Sequence, residues 1–340
     1  MFAAVLICAV LLLVSVLYSF GFVACLIPLL IWIVSQRQSA GSVDPSGRAV
    51  LITGCDTGFG YLLAKQLDQL GFHVFAGCLF PDGEGAQTLK KECSSELNIL
   101  KLDVTLDEDV AKAKEFVEAN LPDKDLWGLV NNAGISTWGE VEWNNIQAYQ
   151  RLADVNLWGS IRMAIAFIPL LRQSKGRLVF MSSSNAFIHL GGVSNYLISK
   201  CGIEVFSDCL RIEMKTFGVK VSIIEPGNYA RATNILQVLT AEEVWNKLND
   251  SLRSVYSKEY IQFYIDKIQE VYNASPQSPM AVINTIIDAL ISPNPKARYL
   301  IVSMVEWVLI FMCVHFPTWF VDALFIYIQR KALITSRINN

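Results

Sequence analysis

The sequence predicts an α/β fold built on a doubly wound parallel sheet, with an N-terminal membrane anchor and an apolar helical C-terminal tail. Three observations carry this. Seven short β-rich runs alternate with helix-length stretches between residues 48 and 303, the spacing of βαβ units whose strands are buried on both faces. The first run is followed by a turn holding Gly54, Gly58 and Gly60 and then by an amphipathic segment, an arrangement that turns backbone N–H groups and a helix N-terminus toward a phosphate. Residues 1–36 contain no Asp, Glu, Lys or Arg, well past the 18 or so apolar residues that argue for membrane insertion.

Charge and cysteine content narrow the function classes. The chain of 340 residues is long enough to bury a full core. A net charge of -3, with Lys and Arg scattered along the chain, gives no basic field for a polyanion and excludes nucleic acid as a partner. The eight cysteines include no C-x-x-C pair, so no zinc site or disulfide framework is expected, and they read as small buried hydrophobes.

Taken in order, residues 1–36 read as an uncleaved anchor. A secretory signal would have a positive start and a small-residue cleavage site, and a mitochondrial presequence would be rich in arginine. As one straight helix the segment would be about 50 Å long against a hydrocarbon core of about 30 Å, so it tilts, bends near Gly21 or Pro28, or folds back as a hairpin. The first positive charges, Arg37 and Arg48, lie on its C-terminal side and place the rest in the cytosol. Residues 37–47 form a linker rich in Ser, Gly and Pro. Strands are expected at AVLIT (49–53), HVFAG (73–77), NILKLDV (98–104), LWGLVNN (126–132), GRLVFMS (176–182), VKVSIIEP (219–226) and RYLIV (298–302). Their carboxyl ends bring residues 53–60, 131–134, 182–184 and 226–228 to one crevice. Beyond the domain 48–303, the extension 304–340 is apolar but interrupted by Glu306, His315, Pro317 and Asp322. A central carboxylate is costly in lipid, which leaves a membrane-lying helix pair, a lid over an apolar pocket, or an ordinary packed tail.

The glycines are spaced T-G-x-x-x-G-x-G, not the G-x-G-x-x-G of the usual dinucleotide turn. The ordered set TGCDTGFG, LDV, NNAG, SSS, YLISK and EPG resembles the short-chain dehydrogenase/reductase family over roughly residues 48–300. That resemblance implies a Rossmann-type sheet and a catalytic set of Asn156, Ser183, Tyr196 and Lys200. It also implies cofactor contacts at Gly54, Asp56, Gly58, Phe59, Gly60, Asp103, Asn131, Ala133, Gly134, Tyr196, Lys200, Pro226 and Gly227, no metal, and a possible homo-oligomer. Asp103 just before a helix is also an ordinary cap.

The Tyr-x-x-x-Lys motif alone decides nothing, since it occurs at Tyr61 with Lys65, Tyr196 with Lys200, and Tyr327 with Lys331. Only Tyr196 has a serine cluster thirteen residues upstream and the Pro-Gly loop downstream. Residues four apart share a helix face, and an ammonium near a phenol is expected to lower a pKa that starts near 10, so that the tyrosine exchanges a proton with the substrate oxygen. Ser183 would hold that oxygen, with Ser182 and Ser184 competing for the role, and Asn156 in DVNLWG would support a water-linked proton path from the lysine.

Neither the glycine turn nor CLFPDGEG (78–85) contains a basic residue, and Asp56 would repel a 2′-phosphate, which favours NAD over NADP. The carboxylate expected at the end of the second strand is missing near Gly77 and Cys78, with Asp82 the nearest acid. Within the family the chain is similar to the branch of retinol dehydrogenases, steroid 17β-dehydrogenase and D-β-hydroxybutyrate dehydrogenase. A small hydroxy acid needs a cation, and SNAFIHLGGVSN (184–195) offers only His189, with Arg231 beyond it. Phe187, Ile188, Leu190 and the tail would suit a lipophilic retinoid or steroid alcohol. The expectation is a membrane-bound enzyme, at the endoplasmic reticulum with its catalytic domain cytosolic, or at a mitochondrial membrane. A hydroxybutyrate dehydrogenase is the alternative, and a non-catalytic scaffold would have lost Tyr196, Lys200 or the serine. N-x-S sequons at Asn249 and Asn273 would carry glycans only in a lumen.

Overall fold

The computed structural model describes residues 41–122, 125–236 and 239–327. The anchor expected over 1–36, the start of the linker and the end of the extension lie outside the described residues. The elements below belong to one compact unit, Asp44–Ile291 with residue 295 onward.

All seven expected strands form: β1 Ala49–Thr53, β2 His73–Cys78, β3 Leu97–Lys101, β4 Leu126–Asn131, β5 Arg177–Met181, β6 Lys220–Pro226 and β7 Arg298–Ile301. They make one parallel sheet in the order β3-β2-β1-β4-β5-β6-β7. β3 is shorter than expected because Asp103 turns the chain, its Oδ1 accepting from Thr105 N at 2.9 Å and Thr105 Oγ1 at 2.7 Å. β1 pairs with β2 on one side and β4 on the other, so connections leave in opposite directions at this point and the crevice opens at the carboxyl ends of β1 and β4.

Both faces of the sheet are covered, which is why the strands are continuous apolar runs. On one face Phe75, Leu129 and Phe180 pack with Val110 and Val117, Met163 and Phe167, and Ile203 and Leu210, supplied by helices Asp107–Asn120, Ser160–Ser174 and Ser194–Lys215. Val282, Ile283, Ile286 and Leu290 are buried from the helix Met280–Ile291, which packs on β5, β6 and the helix Gly58–Gln69. Burying each such side chain contributes about 1.5–3 kcal/mol. Among the described residues, Ile146–Ser174 is long and apolar enough to cross a membrane. It is the helix that lies along β4, interrupted by a π-helical turn at Asp154–Gly159.

Between β6 and β7, ahead of Met280–Ile291, the chain forms the helices Ala241–Lys247, Asp250–Val255 and Lys258–Ala274. Each starts at a side-chain cap, Thr240, Asn249 and Ser257. The sequon residue Asn249 is thereby spent on Leu252 N at 2.9 Å. After β7 come helices Met304–His315 and Thr318–Tyr327. The first has no buried residue, so an ordinary packed tail does not describe it.

Candidate active site

The glycine turn is fixed from below. Gly54 and Gly58 have φ of 70° and 63°, the left-handed region that favours glycine. A Cβ on Gly60 would stand 2.2 Å from Gly54 O and 2.5 Å from Asn132 Nδ2. Thr53 Oγ1 accepts from Asn132 N and Ala133 N at 3.0 and 2.9 Å, and Asn132 Nδ2 donates to Thr53 O and Gly54 O. The start of the helix Gly58–Gln69 has no side-chain cap and no acid in its first turn, which leaves its N–H groups toward the cavity for an anion.

That cavity, about 840 Å³, runs along the carboxyl ends of β1, β4, β5 and β6. Gly54, Asp56, Gly58, Phe59, Asp103, Ala133, Gly134, Ser183, Tyr196, Lys200, Pro226 and Gly227 all line it. Two expected contacts do not. Gly60 lies beneath Gly54 as a spacer, and Asn131 is 2% exposed with neither amide atom hydrogen-bonded. Asn132 lines the cavity in its place, because successive strand residues point to opposite faces. Asp56 folds over the end of β2, accepting from Leu79 N and Phe80 N at 2.9 and 2.8 Å, and so supplies the acid that β2 itself lacks. Asp103 is no helix cap; the Asp107–Asn120 helix starts after Leu106. Thr233, which the sequence reading passed over, lines the cavity with a buried Oγ1 that has no partner.

Tyr196 and Lys200 stand one turn apart on Ser194–Lys215, with Lys200 Nζ 5.6 Å from the ring centre and donating to Met181 O at 2.8 Å. Burial pushes the Tyr196 phenol up to about 12, and a hydrogen bond with Ser183 pulls it back only in part. The net direction is thus upward and not the expected lowering: desolvation of the phenolate dominates, and the Lys200 ammonium is spent on the Met181 carbonyl. Burial brings Lys200 down to about 8, opposed by the charge of Glu204. Ser182 Oγ turns to Lys200 O instead, at 3.5 Å, and Ser184 is buried in a turn, so Ser183 is the serine that meets Tyr196. Lys65 of the rival motif is paired with Glu92 at the surface, and Lys331 lies outside the described residues.

Asn156 sits in the π-helical turn, 1% exposed and behind the cavity wall. It accepts from Ile135 N at 2.8 Å and donates to Ile135 O at 2.9 Å and Ser199 Oγ at 3.0 Å, while Ser199 Oγ donates to Tyr196 O at 2.7 Å. Of the expected substrate wall, Leu190 lines the cavity but Phe187 and Ile188 do not. Arg231 turns away, its guanidinium on Asn273 O at 3.1 Å, and His189 is exposed. Arg151 and Lys200 are the basic residues of the lining among the described residues. Glu306, from the extension, lines it as well and accepts from Asn228 N at 2.7 Å.

A family model described as short chain dehydrogenase matches residues 48–243. The chain belongs to the short-chain dehydrogenase family. A mitochondrial D-beta-hydroxybutyrate dehydrogenase of Bos taurus is 41% identical over 305 residues, covering 86% of this chain and 88% of that protein. Retinol dehydrogenase 7 of Mus musculus is 39% identical over 252 residues, covering 74% of this chain and 79% of its own. A short-chain dehydrogenase from Streptomyces avermitilis aligns with a TM-score of 0.64 at 22% identity, covering 87% of this chain and 100% of that one, which is a likeness of fold. The dehydrogenase is thus an oxidoreductase whose family motifs converge on one cavity.

Proposed function

We propose that this dehydrogenase is a membrane-bound, NAD-dependent enzyme that interconverts a lipophilic alcohol, of retinoid or hydroxysteroid type, and its aldehyde or ketone. The observation that carries the substrate class is the apolar wall formed by Trp138, Leu190, Val193, Ile235, Leu236 and Val271 in the same cavity as Tyr196. Such a wall gains affinity by burying apolar surface. The glycine turn fits a dinucleotide, since Gly54 and Gly58 hold the left-handed backbone that leads into the uncapped start of the Gly58–Gln69 helix beside the cavity. Asp56, with no base beside it, favours the free ribose hydroxyl of NAD over a 2′-phosphate. Gly54, Gly58, Asn132, Thr233 and Gly227 would hold the cofactor, which when bound supplies the hydride acceptor.

In oxidation Tyr196 takes the hydroxyl proton and Ser183 holds the substrate oxygen beside it. Lys200, mostly protonated at neutral pH, stabilises the phenolate. Asn156 positions Tyr196 through Ser199 and sets the Ile135 backbone. The exposed Trp158, Ile165, Ile198, Val205 and Ile212 on the helices flanking the site support a homo-oligomer. The apolar helices after Ser303 support membrane association, at the endoplasmic reticulum or a mitochondrial membrane.

A second reading, oxidation of D-3-hydroxybutyrate, is favoured by the 41% identity to the bovine enzyme and gives Arg151 the carboxylate. The test is NADH formation by the full chain in mild detergent with lipid, using retinols, estradiol, testosterone and D-3-hydroxybutyrate, with Tyr196→Phe as blank. Turnover of a retinoid or steroid, lost in Tyr196→Phe, supports the lipophilic reading. Turnover of hydroxybutyrate alone, with KM raised at least tenfold in Arg151→Met, a loss on the order of one charge-assisted hydrogen bond, overturns it.

A further inference from the structure

Behind the Tyr196 helix, one guanidinium serves three carboxylates. Arg298 on β7 meets Glu204 and Glu225 with the same nitrogen, Nη1, and Asp208 with Nη2 at 2.6 Å. Glu204 and Asp208 lie on the helix that carries Lys200, and Glu225 on β6. The two carboxyl groups on Nη1 are nearly inaccessible, with side chains 10% and 2% exposed, against 38% for Asp208. Arg211 pairs with Asp208 on the outer side. The inner pair therefore shares half of one cation, and Glu204 Oε1 is buried with no partner.

Two buried carboxylates at one nitrogen resist ionising together, because like charges in a poorly solvated site repel. Glu225 is pushed upward accordingly, by burial first and then by the Glu204 charge, while the charge and hydrogen bond of Arg298 pull it back in part. Glu225 and Glu204 are also hydrogen-bonded to each other, which requires a proton on one of the two carboxyl groups. Glu204 also follows Lys200 by four residues, so the two stand one turn apart, about 6 Å along the helix axis. Its charge is what opposes the burial of the Lys200 ammonium.

We propose that the Glu204–Glu225 pair, clamped by Arg298, shares one proton and sets the protonation of Lys200, which makes Glu204 a positioning residue for proton transfer at Tyr196. This rests on the reading of Tyr196 and Lys200 as the proton-transfer pair. The single negative charge of the pair is divided between a near carboxyl and a far one, and substitutions move it. In Glu204→Gln the charge retreats to Glu225, and Lys200 loses its counterion. In Glu225→Gln it concentrates on Glu204, and Lys200 is held more firmly.

The test is competitive labelling of Lys200 by acetic anhydride across pH, read by mass spectrometry on the full chain. The midpoint should fall by about one pH unit in Glu204→Gln and rise in Glu225→Gln, the size set by one charge at this distance in a partly polar medium. Opposite signs are the signature, since a merely structural ion pair moves both variants alike or neither. An unchanged midpoint, or shifts of one sign, overturns the proposal. Should Glu204→Gln fail to fold, the rise in Glu225→Gln decides alone. Labelling needs no turnover, so a chain that oxidises none of the tested alcohols defeats the functional reading while the midpoints still judge the pair. Where turnover is seen, the alkaline limb of carbonyl reduction should move with the Lys200 midpoint.

Discussion

Asn156 acts from beneath the cavity, joining Ile135 to Ser199 and, through it, to the backbone of Tyr196. Replacing it by Ala leaves the Ile135 N–H and C=O without their partner, at a cost of about 1–3 kcal/mol. Asn156→Ala should therefore lower the midpoint of urea unfolding and reduce kcat more than it raises KM, because the substrate wall is untouched. Tyr196 sets the pH dependence. Its phenol is held near 12, so the proton acceptor for oxidation is the minor form at neutral pH and kcat for oxidation should climb with pH until Lys200 begins to lose its charge at about 8. Carbonyl reduction needs the phenol protonated and Lys200 charged, and should decline as pH passes about 8. Parallel profiles in both directions would contradict this. Tyr196 and Lys200 were legible because strand order separates them from two look-alike motifs. Ser183 was singled out among three serines by the family resemblance, and the structure sets it against Tyr196; Asn132 against Asn131 was not legible, because which neighbour faces the cavity is decided where a strand ends, and sequence spacing does not locate that end.

The strands were legible for a physical reason: a sheet covered on both faces demands unbroken apolar runs, and β1, β4 and β5 are buried at every position. The helices between β6 and β7 were hidden in a mixed sequence, although Thr240 with Glu243 is a capping box that could have marked one of them. The helix Met304–His315 shows how an element reaches the site. Glu306 completes a capping box with Ser303 and accepts from Asn228 N at 2.7 Å, next to the Gly227 that lines the cavity. Glu306→Ala removes one cap, costing about 1 kcal/mol, and frees the loop after β6. The expected result is a KM for NAD several-fold higher with kcat for the alcohol little changed; an unaltered KM would mean that the cap does not steady the loop.

For the whole molecule the question is what covers the apolar surface of its last two helices. The described unit buries the central strands of its sheet, yet its last two helices expose Met304 at 75%, Trp307 at 50% and Trp319 at 72%. Apolar side chains this large and this close together are expensive in water, at about 25 cal/mol for each Å² left exposed. Their aromatic rings also stack on one another, Trp307 on Phe311 and Phe316 against Phe320, so the patch is preformed. Indole rings favour the boundary between headgroups and acyl chains, and Asp322 and His315 make that boundary a better home than the hydrocarbon interior. Reconstituted in bilayers whose acyl chains carry bromine, the full chain should lose tryptophan fluorescence through collisional quenching. The quenched fraction should fall in Trp307→Phe/Trp319→Phe, with turnover retained because neither ring lines the cavity. Equal quenching in the double variant would place these helices away from lipid and return them to the role of a lid, with Glu306 as its hinge on the cofactor loop.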